Sequence, residues 1–254
     1  MQNINVDWNR YAEQYDAICT SGSNPAYMQL LDKVVRYFKE LPIKKRSLVA
    51  DLGGGTGNFT LALAQHYPDS TFVIVDSSET MLEKAKGKAH IAGLENIDVV
   101  LGDVENIAQL TTKYSRPFTH VIMIHCLYAT RSKEDSAKPH RILKNICEGM
   151  EDSSSRCFVS DINRQLNTSN WIPYCLWNAY RNLRSMKKTI QYFKENDQAK
   201  LANRYIDLQQ KSGNYLVCEL DEFVNMIRAA GFAKIHEKSD RYYRGRDNLV
   251  IAGK

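Results

Sequence analysis

From Leu48 to Gly57 the chain reads LVADLGGGTG, an apolar run that meets an acidic residue and then breaks into glycines. The apolar part suits a buried parallel strand, where both faces are covered and no polar alternation is needed. Gly53, Gly55 and Gly57 suit a tight turn that brings bare backbone against a ligand, with a helix starting near Asn58. Strand, turn and helix together predict a nucleotide-like ligand at the strand tip. Spacing narrows the choice. A dinucleotide fingerprint counted from Gly53 would need glycine where Asn58 stands, and no Lys-Ser or Lys-Thr pair follows to make a phosphate-binding G-x-x-x-x-G-K-[ST] loop.

Two more strand-like runs end in carboxylates: TFVIV, Thr71 to Val75, runs into Asp76, and Ile97 to Leu101 runs into Gly102 and Asp103. An acidic residue two positions before G-x-G-x-G, with acids at the next two strand tips, resembles the class I S-adenosylmethionine-dependent methyltransferases. The resemblance spans Trp8 to the C-terminus and is strong from 48 to 104. It implies that Asp76 accepts from both ribose hydroxyls of S-adenosyl-L-methionine, a task that suits an acceptor-only carboxylate. It also implies that Asp103 lies beside the adenine amino group with Val104 near the ring. Asp51, Gly53, Gly55, Gly57, Ser77 and Met81 complete the cofactor-binding set so implied. One acid at a strand end is often only a helix cap; three in succession beside a glycine loop favour a ligand.

From the loop onward strand and helix alternate, which predicts an α/β fold. The expectation is a doubly wound, seven-stranded Rossmann-like methyltransferase sheet with a C-terminal β-hairpin and a helical cap insertion. Strands are expected at 48–52, 71–76, 97–101, 120–125, 156–161, 233–239 and 247–252. Helices are expected at 58–66, 78–92 and 134–150, and through LDEFVNMIRAA up to Gly231. The whole chain, 1–254, reads as one domain, with 1–47 as an N-terminal helical lid and 163–215 as the cap. Trp8, Tyr11 and Tyr15 share one helical face. By resemblance such a helix folds over the cofactor, which adds Tyr11 and Tyr15 to the binding set; simple core packing explains the same spacing.

With 254 residues and 43% hydrophobic content the chain can bury a proper core. It has neither an apolar run of the length needed to span a bilayer nor a leading signal pattern, so a soluble, cytoplasmic protein without a membrane partner is expected. Six cysteines are scattered without a C-x-x-C pair, which predicts reduced thiols and no zinc knot. The net charge of +5 is concentrated late, in Arg181, Arg184, Lys187 and Lys188 and in Arg241, Arg244 and Arg246 beside Tyr242 and Tyr243. Such clusters could hold nucleic acid or an anionic group, though a solvated helix face and a charged turn is the plainer reading.

In a doubly wound sheet ligands lie beyond the carboxyl ends of the strands, so reactive groups are sought there. His125 and Tyr128 follow the fourth strand, Asp161 and Asn163 the fifth. His125 is the candidate general base, or else a wall residue beside the cofactor. Tyr128 joins it as a catalytic candidate, and Asp161 orients a substrate group or caps a helix. Trp171, Tyr174 and Asn178, on one helical face of the insertion, would roof the substrate. No second carboxylate is expected near Asp161, so no metal is expected. The function expected is methyl transfer from S-adenosyl-L-methionine to oxygen, nitrogen or carbon of a small molecule, with S-adenosylhomocysteine released. The protein would be a monomer or homodimer without nucleic acid. The rivals are an RNA or protein methyltransferase and a non-methylating cyclase or scaffold on the same fold.

Overall fold

The computed structural model describes residues 8–20, 24–41, 43, 45–163, 177, 180, 190, 191, 194, 197–242 and 247–254. Seven strands form one sheet: β1 (Leu48–Leu52), β2 (Thr71–Asp76), β3 (Ile97–Leu101), β4 (His120–Ile124), β5 (Arg156–Ile162), β6 (Lys234–Arg241) and β7 (Asp247–Gly253). Their order is β3-β2-β1-β4-β5-β7-β6. β1 to β5 pair in parallel, while β7 runs antiparallel to both β5 and β6. The expected seven-stranded sheet and its closing hairpin are both present. The order reverses between β1 and β4, which opens a crevice above the tip of β1.

Alternation along each strand divides the core in two. Leu48, Ala50 and Leu52 point with Val73, Val75, Val121 and Met123 to one face, where they meet Ile142 and Ile146 of α6 (Lys138–Gly149) and Phe223 and Ile227 of α8 (Leu220–Ala229). Val49, Phe72, Ile122 and Phe158 point to the other, against Leu30, Val34 and Phe38 of α2 (Pro25–Glu40) and Leu63 of α3 (Asn58–Ala64). Of the residues expected to form a lid, α2 is a layer of this core and α1 (Trp8–Thr20) adds the buried Cys19 to the same cluster. α2 starts as its sequence dictates, with the Asn24 side chain accepting from Tyr27 N–H at 3.0 Å and Pro25 in the first turn, where a missing N–H costs nothing. Ser78 caps α4 (Glu79–Ile91) in the same way.

Three of the differences from expectation have a local cause. β4 stops at Ile124, because His125 turns into the left-handed region with φ 53°. α6 begins at Lys138 rather than 134, since Ser132 and Asp135 exchange bonds in a tight turn that occupies the backbone there, and Pro139 suits only the first turn of a helix. After β3 comes a short 3-10 turn, Val104–Asn106, and then α5 (Ile107–Tyr114), whose two buried apolar positions are too few to leave a sequence period. α7 (Asp197–Lys211) lies within the expected cap. Among the described residues no helix is long and apolar enough to cross a membrane.

Candidate functional site

The loop after β1 is held by the neighbouring strand: Gly53 and Gly54 N–H both donate to Val75 carbonyl, at 2.7 and 3.2 Å. Gly53, Gly55 and Gly57 all adopt left-handed backbone, at φ 68°, 54° and 76°. Their steric reasons differ. A Cβ on Gly53 would lie 2.2 Å from Cys126 Sγ, and one on Gly57 would lie 2.7 Å from Ile74 Cδ1. A Cβ on Gly55 would meet nothing closer than Met81 Sδ at 3.9 Å. Gly54, which the sequence motif leaves unmarked, is equally constrained, because its Cβ would fall 2.7 Å from Asp51 Cγ.

Asp51 lies beneath this loop rather than on the pocket. Its carboxylate is buried and accepts from Thr60 Oγ1 at 2.7 Å. Burial pushes its pKa up to about 6, against the pull of the Thr60 bonds. Asp76 faces outward at the tip of β2: Gly55 N–H donates to Oδ2 and Ser78 N–H to Oδ1, each at 2.9 Å. Burial raises its pKa and these backbone donors oppose the rise. Two oxygens already oriented by backbone retain lone pairs for a ligand's hydroxyls.

A cleft of about 350 Å³ runs along the strand tips, bordered by Gly53, Asp76, Ser77, Asp103, Val104, His125, Cys126 and Lys138. Six residues expected at a cofactor site thus meet in one cleft. Asp103 Oδ1 accepts from Glu105 N–H at 2.9 Å and Oδ2 from Lys138 Nζ at 2.7 Å. Burial would raise its pKa, but these two partners outweigh it and hold the carboxyl below its usual range. Lys138 on α6 was not anticipated.

α1 reaches the glycine loop from outside the sheet. Asp16 Oδ1 accepts from Thr56 Oγ1 at 2.6 Å and from Lys88 Nζ at 3.0 Å, and Lys88 also donates to Asn58 Oδ1 at 2.8 Å. Tyr11 and Tyr15 pack edge to face on this helix, with ring centroids 5.8 Å apart. Tyr15 also joins the core cluster of Tyr27 and Phe59, so core packing accounts for part of that aromatic face.

At the other end of the cleft, His125 Nε2 stands 2.9 Å from Asp247 Oδ2, and Ser160 Oγ donates to the same oxygen at 2.6 Å. Asp161 is 2% exposed and accepts from Ile162 N–H at 3.1 Å. Burial lifts its pKa well above the carboxylate range, and Asp247 adds to the rise. The expectation that no second carboxylate lies near Asp161 is therefore corrected: β7 runs antiparallel beside β5 and brings Asp247 opposite Ile162. Tyr128 stacks edge to face on Tyr215 at 5.2 Å. Asn163 Nδ2 donates to Asn248 Oδ1 at 3.3 Å. Trp171, Tyr174 and Asn178 lie outside the described residues, as do Arg181, Arg184, Lys187, Lys188, Arg244 and Arg246. Among the described residues no group of three His, Cys, Asp or Glu side chains could hold a metal ion.

Residues 49–147 match the family model described as "Methyltransferase domain". The chain is 34% identical over 68 residues to 2-methyl-6-phytyl-1,4-hydroquinone methyltransferase 1 of Oryza sativa subsp. japonica, covering 27% of this chain and 20% of that one. It is 27% identical over 108 residues to a tRNA (guanine-N(7)-)-methyltransferase of Lactobacillus delbrueckii, covering 42% of this chain and 46% of that one. Such curated relatives are matched over about a fifth to a half of their own length. In fold the chain is similar to magnesium protoporphyrin IX methyltransferase of Synechocystis, solved with S-adenosylhomocysteine bound, at TM-score 0.62 and 15% identity over 95% of this chain and 93% of that one. The glycine loop, the carboxylates at successive strand tips and the sheet order agree with the methyltransferase domain matched over residues 49–147.

Proposed function

We propose that this protein transfers the methyl group of S-adenosyl-L-methionine to a small-molecule acceptor and releases S-adenosylhomocysteine. The observation that carries this reading is the pair of bonds by which Gly55 and Ser78 N–H orient the two oxygens of Asp76 on the cleft. The residues fit the cofactor: Asp76 would hold the ribose diol, Asp103 and Val104 the adenine, and the bare loop at Gly53 the amino-acid end. The sulfonium supplies a methyl group already activated for in-line transfer. The chain's own task is then to orient the acceptor, exclude water and take a proton.

His125 is the proton acceptor in this reading, since it borders the cleft and imidazole is the side chain most often used as a general base. Tyr128 and Asp161 would line the acceptor side. The small-molecule reading draws support from Tyr128, three residues after His125, which continues through Tyr215 to Tyr205 as a chain of edge-to-face rings suited to an apolar body with a polar group. α1, pinned to the loop through Asp16, would act as the lid, and the insertion containing Trp171, Tyr174 and Asn178 as the roof. Cytoplasmic location and a monomer or homodimer belong to the same proposal.

The test uses S-adenosyl-L-methionine labelled in the methyl group, incubated with the protein and either a small-molecule extract or bulk tRNA. Label in the low-mass fraction, lost in His125→Ala, is expected. Label in tRNA would transfer the assignment to the nucleic-acid rival.

A further inference from the structure

We infer that Asp247, oriented by Ser160, is a positioning residue that fixes His125 in its Nε2–H tautomer and makes Nδ1 the proton-accepting nitrogen. The inference rests on the reading of His125 as the base. A carboxylate can only accept, so the 2.9 Å contact between Asp247 Oδ2 and His125 Nε2 places the ring proton on Nε2. The Ser160 hydroxyl donates to the same oxygen at 2.6 Å, which prevents the carboxylate from rotating away.

Ser160 grips His125 a second time, because its carbonyl accepts the His125 N–H at 2.8 Å. The residue is thus held at backbone and ring at once. That hold accompanies a left-handed backbone, φ 53°, a conformation that a non-glycine residue adopts only where its surroundings impose it. Asp247 is poorly explained as packing. It is 1% exposed, and its Oδ1 has no hydrogen-bond partner among the described residues, a buried deficit that a merely structural residue would not need. β7 supplies it from the strand beside β5, where Ile162 pairs with Asp247.

In the step so arranged, the acceptor's proton passes to Nδ1 as its electron pair forms the bond to the methyl carbon, and the pair of the broken carbon–sulfur bond stays on sulfur. Asp247 accepts from Nε2 throughout and stabilises the imidazolium until the proton leaves to solvent, the role a buried aspartate plays behind a catalytic histidine elsewhere.

Imidazole nitrogen-15 spectra of the whole chain test this without any acceptor. They would be recorded with S-adenosylhomocysteine present at about pH 8.5, above the ordinary imidazole range, with the His125 signals assigned by their absence in His125→Gln. The wild type is expected to show Nε2 protonated and Nδ1 unprotonated. Asp247→Asn, whose amide can donate to Nε2, is expected to move His125 toward the opposite tautomer. A wild-type His125 with the proton on Nδ1 overturns the inference even if the variant does not fold, and an unchanged tautomer in a folded Asp247→Asn does so as well. Titration of S-adenosylhomocysteine into the same wild-type sample keeps the two readings apart: absence of binding removes the methyltransferase reading, whereas binding with the wrong tautomer removes only the role of Asp247.

Discussion

The N–H of Gly55 donates to Asp76 Oδ2 at 2.9 Å, so the glycine turn after β1 is built onto the carboxylate at the tip of β2. Two features that look independent in sequence, a glycine loop and an acid 21 residues on, are one device. The backbone conformation at Gly55 aims the donor, and the donor aims the acid.

Steric room separates the loop glycines. Gly53→Ala should destabilise the protein by about 2 to 4 kcal/mol, because its Cβ overlaps Cys126 and the loop must move. Gly55→Ala has open space around its Cβ and should cost only about 1 kcal/mol, for the left-handed backbone. Urea unfolding of both variants checks the ranking, and equal costs would mean that Cys126 does not set the limit at Gly53.

The Asp16 network should govern the mobility of α1. Asp16→Ala removes the acceptor of both Thr56 Oγ1 and Lys88 Nζ, and a hydrogen bond to a charged group is worth about 1.5 to 3 kcal/mol. Amide exchange in α1 should then accelerate tenfold or more while β1 and β4 keep their protection. Unchanged exchange in α1 would show that side-chain packing alone holds the helix.

Two buried groups give stability opposite dependences on pH. Asp51, with its pKa raised by burial from 3.8 to about 6, takes up a proton on folding, so its contribution is complete below pH 4 and is lost as pH rises through 6. His120 is lowered by burial and by Arg156 from 6.5 to about 4, so its contribution is present above pH 6.5 and lost as pH falls through 4. The wild type should therefore show a shallow profile between pH 4 and 6. Asp51→Asn should lose stability on acidification more steeply, and His120→Gln should gain it. Thermal melts across this range decide the matter; parallel profiles for all three proteins would refute both assignments.

What could be read from the sequence was what is written locally. Each of Asp51, Asp76 and Asp103 closes an apolar run, and the glycines follow one of them directly, so strands, loop and cleft were legible. The direction of a side chain was not: Asp51 belongs to the same motif as the glycines yet turns inward, because Thr60, nine residues on in the first turn of α3, donates to its carboxylate. Contacts made by the fold left no trace. His125 and Asp247 are 122 residues apart, and nothing in RDNLV sets that aspartate apart from any other strand opening. Asp16, Thr56 and Lys88 are likewise joined only by the packing of α1 on the loop.

Asp76 carries the central claim, and calorimetric titration of S-adenosylhomocysteine into the wild type and Asp76→Ala tests it most directly. The wild type is expected to bind one equivalent, and the variant, folded but deprived of its charge-assisted bonds to the diol, to bind more weakly by about 2 to 4 kcal/mol, roughly 30- to 1000-fold. Equal affinity in the two proteins, or no binding by the wild type, would contradict the account.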